Sequence, residues 1–154
     1  MTKKQYGNEV ERLAPSLRRI AYSVVRNEHD AQDAVQQALL AVWVRREKVE
    51  LARLKPYLTR AVINACRDIQ RARQKSIPVD ELPESEYQPP DSALRDAVER
   101  LPEELRLPLL LHYMEGYKLR EIAGTLGVSL PQITSRLFRA RRLLRDMLEE
   151  EAER

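Results

Sequence analysis

The sequence predicts an all-α protein made of two small helical modules joined by an acidic, proline-rich linker. Three observations predict it. Leu, Ala, Arg and Glu dominate the 154 residues, while aromatics make up 5% and Gly numbers four, a helix-forming mixture. Apolar residues recur at helical spacing, and no run of alternating β-branched residues is long enough for a strand. The stretch from Ser76 to Pro90 holds four of the nine prolines and a cluster of acids, so it neither continues a helix nor buries a core. The modules accordingly span residues 1–75 and 92–154, with a linker over 76–91.

The first module carries three helix patterns. The first runs from Glu9 to Val25, with Val10, Leu13, Leu17, Ile20, Ala21 and Val24 as its apolar stripe. Pro15 is expected to kink or split it. Asn27 marks its end, and Asp30 is the expected cap of a second helix. Asp33 falls in that helix's first turn, where negative charge suits the dipole. The pattern continues through Val35, Ala38, Leu39, Val42 and Trp43. A looser stretch, Glu47 to Lys55, leads to a third helix with Pro56 in its first turn. Tyr57, Leu58, Ala61, Val62, Ala65 and Ile69 form the apolar side of that helix, and Arg60, Asn64, Arg67, Arg71 and Arg73 its polar side.

In the second module, Asp91 or Ser92 caps a helix from Ala93 to Leu101. Pro102, Glu103 and Glu104 open another, anchored by Leu105, Leu109, Leu110 and Tyr113, with Pro108 as a bend and Gly116 as its end. The segment from Gly116 to Arg145 then reads as helix, tight turn and helix. Ile122, Ala123 and Leu126 give the first an apolar face, and Gly127 suits the positive φ of a helix end. Ser129 is the N-cap of the second, Pro131 lies in its first turn, and Ile133, Leu137, Ala140 and Leu144 face inward. This is a helix-turn-helix pattern, whose second helix enters the major groove of DNA. Gln132, Thr134, Ser135, Arg136 and Arg139 are its candidate DNA-binding residues, each able to hydrogen-bond bases or phosphates.

Charge is segregated. Residues 1–75 carry 16 Lys and Arg against 8 acids, residues 76–91 carry 5 acids and no base, and residues 92–154 carry 11 of each. Within the last stretch Arg136, Arg139, Arg141, Arg142 and Arg145 crowd one helix, and acids fill the tail. Such a distribution fits a nucleic-acid footprint. For Arg145 a solvated position near a helix C-terminus is the simpler account, and Trp43 is expected in the core. The single cysteine, Cys66, excludes an internal disulfide, suits a reducing cytoplasm and is expected in the core. No stretch is apolar enough to span a membrane or to serve as a signal core. His29 and His112 are too isolated for a metal site, and no nucleophile, nucleotide loop or catalytic constellation is present. No cofactor, metal or enzymatic activity is expected.

Taken together, these features resemble the sigma-70 family of transcription initiation factors, and most closely its small extracytoplasmic-function group, which keeps only regions two and four. LPEELRLPLLLHYMEGYKLREIAGTLGVSLPQITSRLFRARRLLR resembles region four along its length. HDAQDAVQQALLAVW resembles the region-two helix that grips the core polymerase, and YLTRAVINACRDIQRARQ the promoter-reading helix.

The resemblance implies roles for individual residues. Asp33, Gln36 and Gln37 match the surface that docks on the β′ clamp helices, with Gln37 standing where the family usually has an acid. Arg60, Asn64, Arg67 and Arg71 match the helix that meets the minus-ten element, and the Glu47–Lys55 loop the segment that captures a flipped base. Gln132, Ser135, Arg136 and Arg139 match the minus-thirty-five recognition helix. Thr134 replaces a commonly basic residue there, and Tyr57 stands where Trp is frequent. The implied partners are core RNA polymerase, through its β′ clamp helices and β flap, promoter DNA and an anti-sigma factor, with no membrane insertion. The implied activity is promoter-directed initiation. Two alternatives remain: a sigma-like DNA-binding regulator without promoter melting, and a module that sequesters an anti-sigma factor.

Overall fold

The computed structural model describes residues 1–75 and 93–153. Among them there is no strand. The chain divides into two compact units, Met1–Asp80 and Glu81–Arg154. The linker over 76–91, and the caps expected at Asp91 or Ser92, lie outside the described residues.

The first unit contains α1 (Lys3–Val25), α2 (Glu28–Val44) and α3 (Leu54–Lys75), each packed on the other two. Helix α1 starts six residues before the expected Glu9. Thr2 accepts from the Gln5 N–H at 3.1 Å while the Gln5 side chain accepts from the Thr2 N–H at 3.0 Å, a reciprocal cap. Tyr6, buried in this added turn, donates its hydroxyl to the Leu39 carbonyl of α2 at 2.6 Å and ties the extension down. Pro15 does not split the helix. It lies on the exposed side, where water can satisfy the carbonyl left without its partner. Arg26 ends α1 at φ 56°, a left-handed position that glycine occupies more often.

Asn27, and not Asp30, caps α2: its side chain accepts from the Asp30 N–H at 3.0 Å. Asp30 is instead buried in the first turn. The buried face of α2 is built largely from Ala31, Ala34, Ala38, Val35 and Val42, and small side chains let α1 and α3 approach closely. Facing them are Leu13, Leu17 and Ile20 of α1 and Leu58, Val62, Ile63 and Cys66 of α3. The Cys66 thiol points to the Ala21 carbonyl at 3.8 Å, as a small core group. Trp43 is half-buried at the edge of this core, its ring centroid 5.3 Å from that of Tyr6. The Arg46 guanidinium covers the ring at 3.9 Å.

The second unit contains α4 (Ala93–Arg100), α5 (Glu103–Leu109), a π turn (Leu110–Met114), α6 (Leu119–Leu126) and α7 (Leu130–Ala152). Helix α7 packs on α4, α5 and α6. Leu101, Leu111, Tyr117, Ile122 and Ile133 are buried at its centre. Arg106 is also buried and donates to the Leu101 carbonyl at 2.7 Å, closing the end of α4. Pro108 does not end α5; the backbone runs on through it into the π turn.

Candidate nucleic-acid and polymerase interfaces

In the first unit, burial of Leu58, Val62 and Cys66 turns the opposite side of α3 outward. Arg60, Asn64, Arg67 and Arg71 follow one another by three or four residues along that side, and Tyr57, expected on the apolar side, joins them there instead; all are exposed. Arg71 pairs with Asp68 one turn back. The structure thus brings all four sequence-expected residues of this helix onto a single stripe. Beside it, a cleft of about 440 Å³ opens between α2 and α3. Its lining combines small apolar side chains, Ala38, Ala41, Val42, Ala61 and Ala65, with polar ones, Gln37, Arg45, Tyr57, Arg60, Asn64 and Asp68. A flat group with polar edges suits such a site, since the alanines leave room and the amides and charges provide hydrogen bonds. The cleft also joins Gln37 to Arg60 and Asn64, residues that sequence alone placed in different roles.

The Glu47–Lys55 loop is better formed than its sequence suggests. Two 3₁₀ turns, Arg46–Lys48 and Leu51–Arg53, occupy it, and buried Val49 and Leu54 pin it to the core. On α2, Asp33 faces His29 Nε2 at 3.5 Å, and Gln36 and Gln37 are exposed. Leu40 and Val44 continue this outer face, 67% and 79% exposed. The sequence does not single them out, because Leu39, Val42 and Trp43 already complete the inward stripe. Their own i, i+4 spacing, out of phase with that stripe, was the available signal.

In the second unit the turn between α6 and α7 forms as expected. Gly127 takes φ 69°. Ser129 caps α7, accepting from the Gln132 N–H at 3.3 Å, while Gln132 Oε1 accepts from the Ser129 N–H at 2.9 Å. Gln132 therefore has a structural task besides any contact with DNA, and only its amide nitrogen lies outside the cap. The Thr134 hydroxyl donates to the Leu130 carbonyl at 3.1 Å, back into its own helix. Ser135 is exposed. Arg136 is not the fully exposed residue that the sequence implied. Its side chain is 19% exposed and lies toward Glu104 of α5, which also meets Arg139. Arg141 donates to the Tyr113 hydroxyl at 2.6 Å. Phe138, 61% exposed, shares the outer face of α7 with Thr134 and Ser135. It too was missed, although it sits one position off the inward Leu137, and an outward ring there adds apolar surface of the kind that meets thymine methyl groups.

Comparison with known proteins follows the same division. Residues 10–76 match the family model for Sigma-70 region 2, and residues 91–144 match that for Sigma-70, region 4. The RNA polymerase sigma-E factor of Streptomyces coelicolor is 34% identical over 141 residues, covering 86% of this chain and 80% of its own length. The chain belongs to the sigma-70 family, in its extracytoplasmic-function group. The ECF RNA polymerase sigma factor SigE of Mycolicibacterium smegmatis is 31% identical over 154 residues, covering 90% of this chain. The chain spans 60% of that relative's length. The fold is that of the sigma factor RpoE of Bartonella quintana, solved with the anti-sigma factor NepR, at a TM-score of 0.78 and 24% identity over 95% of this chain and 98% of that one. No helix among the described residues is long and apolar enough to cross a membrane.

Proposed function

We propose that this protein is an alternative sigma factor that binds core RNA polymerase and directs initiation at a specific set of promoters. The observation that carries it is the stripe of Arg60, Asn64, Arg67 and Arg71 beside a cleft lined by polar side chains and alanines, in the same chain as a capped, basic recognition helix. A regulator that only bound duplex DNA would have use for the second feature alone. In this account residues 1–75 grip the polymerase and the minus-ten element, residues 76–91 connect, and residues 92–154 hold the minus-thirty-five element.

The work is differential binding, and no bond is made or broken by the factor itself. Ser135, Arg139 and the amide of Gln132 meet base edges or phosphates upstream, with Arg136 behind them. Downstream, unstacking a base step costs a few kcal/mol, roughly. Arg60, Arg67 and Arg71 offset part of that through phosphate contacts, and the Glu47–Lys55 loop captures the released base, with the α2–α3 cleft as a further receiving surface. Asp33, Gln36 and Gln37 hold the β′ clamp helices, and the second unit meets the β flap. The factor acts in the cytoplasm, where the polymerase is. An anti-sigma factor is its expected antagonist, since a relative of the same fold is held by one.

Transcription in vitro with purified core polymerase tests the proposal. Promoter-directed transcripts that depend on this protein are expected. Sequence-specific DNA binding without any gain of initiation would instead favour a regulator that does not melt DNA.

A further inference from the structure

Glu104 stands in the first turn of α5, and its Oε1 lies 3.5 Å from Arg136 Nε and 3.6 Å from Arg139 Nη2. A single carboxylate oxygen thus faces two guanidinium groups of the recognition helix. We propose that Glu104 is a specificity-determining residue of the DNA-reading head. It acts as an internal counter-anion, competing with phosphates for Arg136 and Arg139 in loose complexes and bracing the same side chains where the sequence fits. The inference rests on the promoter-binding role given above.

The distances matter first. Both exceed the roughly 2.7–2.9 Å of a tight charge-assisted hydrogen bond. The carboxylate therefore attracts without locking, as a displaceable group should. Exposure matters next. The Arg136 side chain is 19% exposed, against 55% for Arg139 and 57% for Glu104. Arg136 is laid against the protein and its direction is fixed there, while Arg139 and Glu104 keep their charged ends in water. Charge matters third. Arg141, Arg142 and Arg145 already make this helix attractive to any duplex. For a sequence reader that attraction is a burden, because wrong sites vastly outnumber right ones. A carboxylate carried on the protein does not dilute away. A wrong duplex must displace it with phosphates alone. A right duplex adds base-edge hydrogen bonds, for which Arg136 is already directed. The acid therefore subtracts more from wrong sites than from right ones.

The full-length protein, assembled with core polymerase, is first used to enrich duplexes from a random library. The enriched duplex and a shuffled copy are then the probes, and the ratio of their dissociation constants at fixed salt is the readout. Glu104→Gln is expected to bind the shuffled duplex about two- to fivefold tighter, with the enriched duplex unchanged or weaker. Glu104→Asp keeps the charge but withdraws the carboxylate by one methylene, and is expected to follow the Gln variant. Equal shifts on both duplexes, or an Asp variant that matches the wild type, would overturn the inference by reducing Glu104 to background charge. If no duplex is enriched, the promoter-binding role falls and the inference falls with it. If one is enriched and the ratio is constant, only the inference falls.

Discussion

Arg73, close to the end of α3, closes on Asp30, in the first turn of α2, with 2.6 Å between Nη2 and Oδ2. The Asp30 side chain is 8% exposed and that of Arg73 49%. The pair fixes the start of the proposed polymerase-docking helix to the far end of the proposed promoter helix. It is buried on one side and wet on the other. Arg73→Met is expected to destabilise the protein by about 2 kcal/mol, between the values for exposed and fully buried pairs. Adding Asp30→Asn should recover part of that, because the cost lies mostly in the uncompensated carboxylate. Urea unfolding of both variants measures it, and a double variant no more stable than the single one would contradict this account.

Tyr6 makes a second link, and this one is sensitive to alkali. Burial raises its pKa above the ordinary 10.0. The folded chain therefore favours the neutral phenol. The stability that this adds is full below pH 10 and is lost as the pH climbs through the higher folded value. Tyr6→Phe removes the hydroxyl that donates to the Leu39 carbonyl, at a cost of about 1 kcal/mol at neutral pH. It should also flatten the alkaline fall in stability. Thermal melts of both proteins from pH 8 upward read the difference.

Ser129 separates folding from DNA contact. Ser129→Ala should lower stability by about 1 kcal/mol through loss of the α7 cap. Ser129→Asp keeps a capping oxygen and places a negative charge at the positive end of the helix, so its stability should match the wild type or exceed it. If α7 enters the major groove as proposed, that same charge would face the duplex, so promoter binding should weaken. Melting curves paired with binding isotherms distinguish the two effects.

Leu40 and Val44 extend the outer face of α2 beyond Asp33, Gln36 and Gln37. Leu40→Asp or Val44→Asp should change stability by less than about 0.5 kcal/mol, because both side chains are exposed. If this face docks on the polymerase, either substitution should abolish co-purification with core enzyme, as Asp33→Arg should. Retention of the complex by all three variants would place the interface elsewhere.

Features governed by neighbouring residues were legible in the sequence. Gly127 and Ser129 define their turn by local backbone chemistry, and Leu13, Leu17, Ile20 and Val24 define a buried stripe by spacing alone. Some local signals were present but were outweighed. Thr2 and Gln5 spell a capping box, yet Tyr6 is the only large apolar side chain near them, so the apolar periodicity points to a start at Glu9. Asn27 and Asp30 are both good caps three residues apart, and the choice between them depends on Arg73, 43 positions beyond Asp30. Helix crossing, and not periodicity, decides such contacts. The same holds for the site. The α3 stripe followed from spacing, whereas the cleft beside it depends on how near α2 lies, and Arg136 could be placed only once α5 was seen to present Glu104.

Helix α7 runs from Leu130 to Ala152, about 34 Å at 1.5 Å per residue. Its arginines lie between positions 136 and 145, and Glu149, Glu150 and Glu151 crowd its rear. In the field of a duplex such a rod is pulled at one end and pushed at the other. It experiences a torque before it makes any contact. In the proposed role, encounters that begin rear-first would be turned around or repelled, and productive collisions would be more frequent than for a rod of the same net charge spread evenly. If α7 is the reading helix, the glutamate tail would thereby help set the rate at which its arginines arrive.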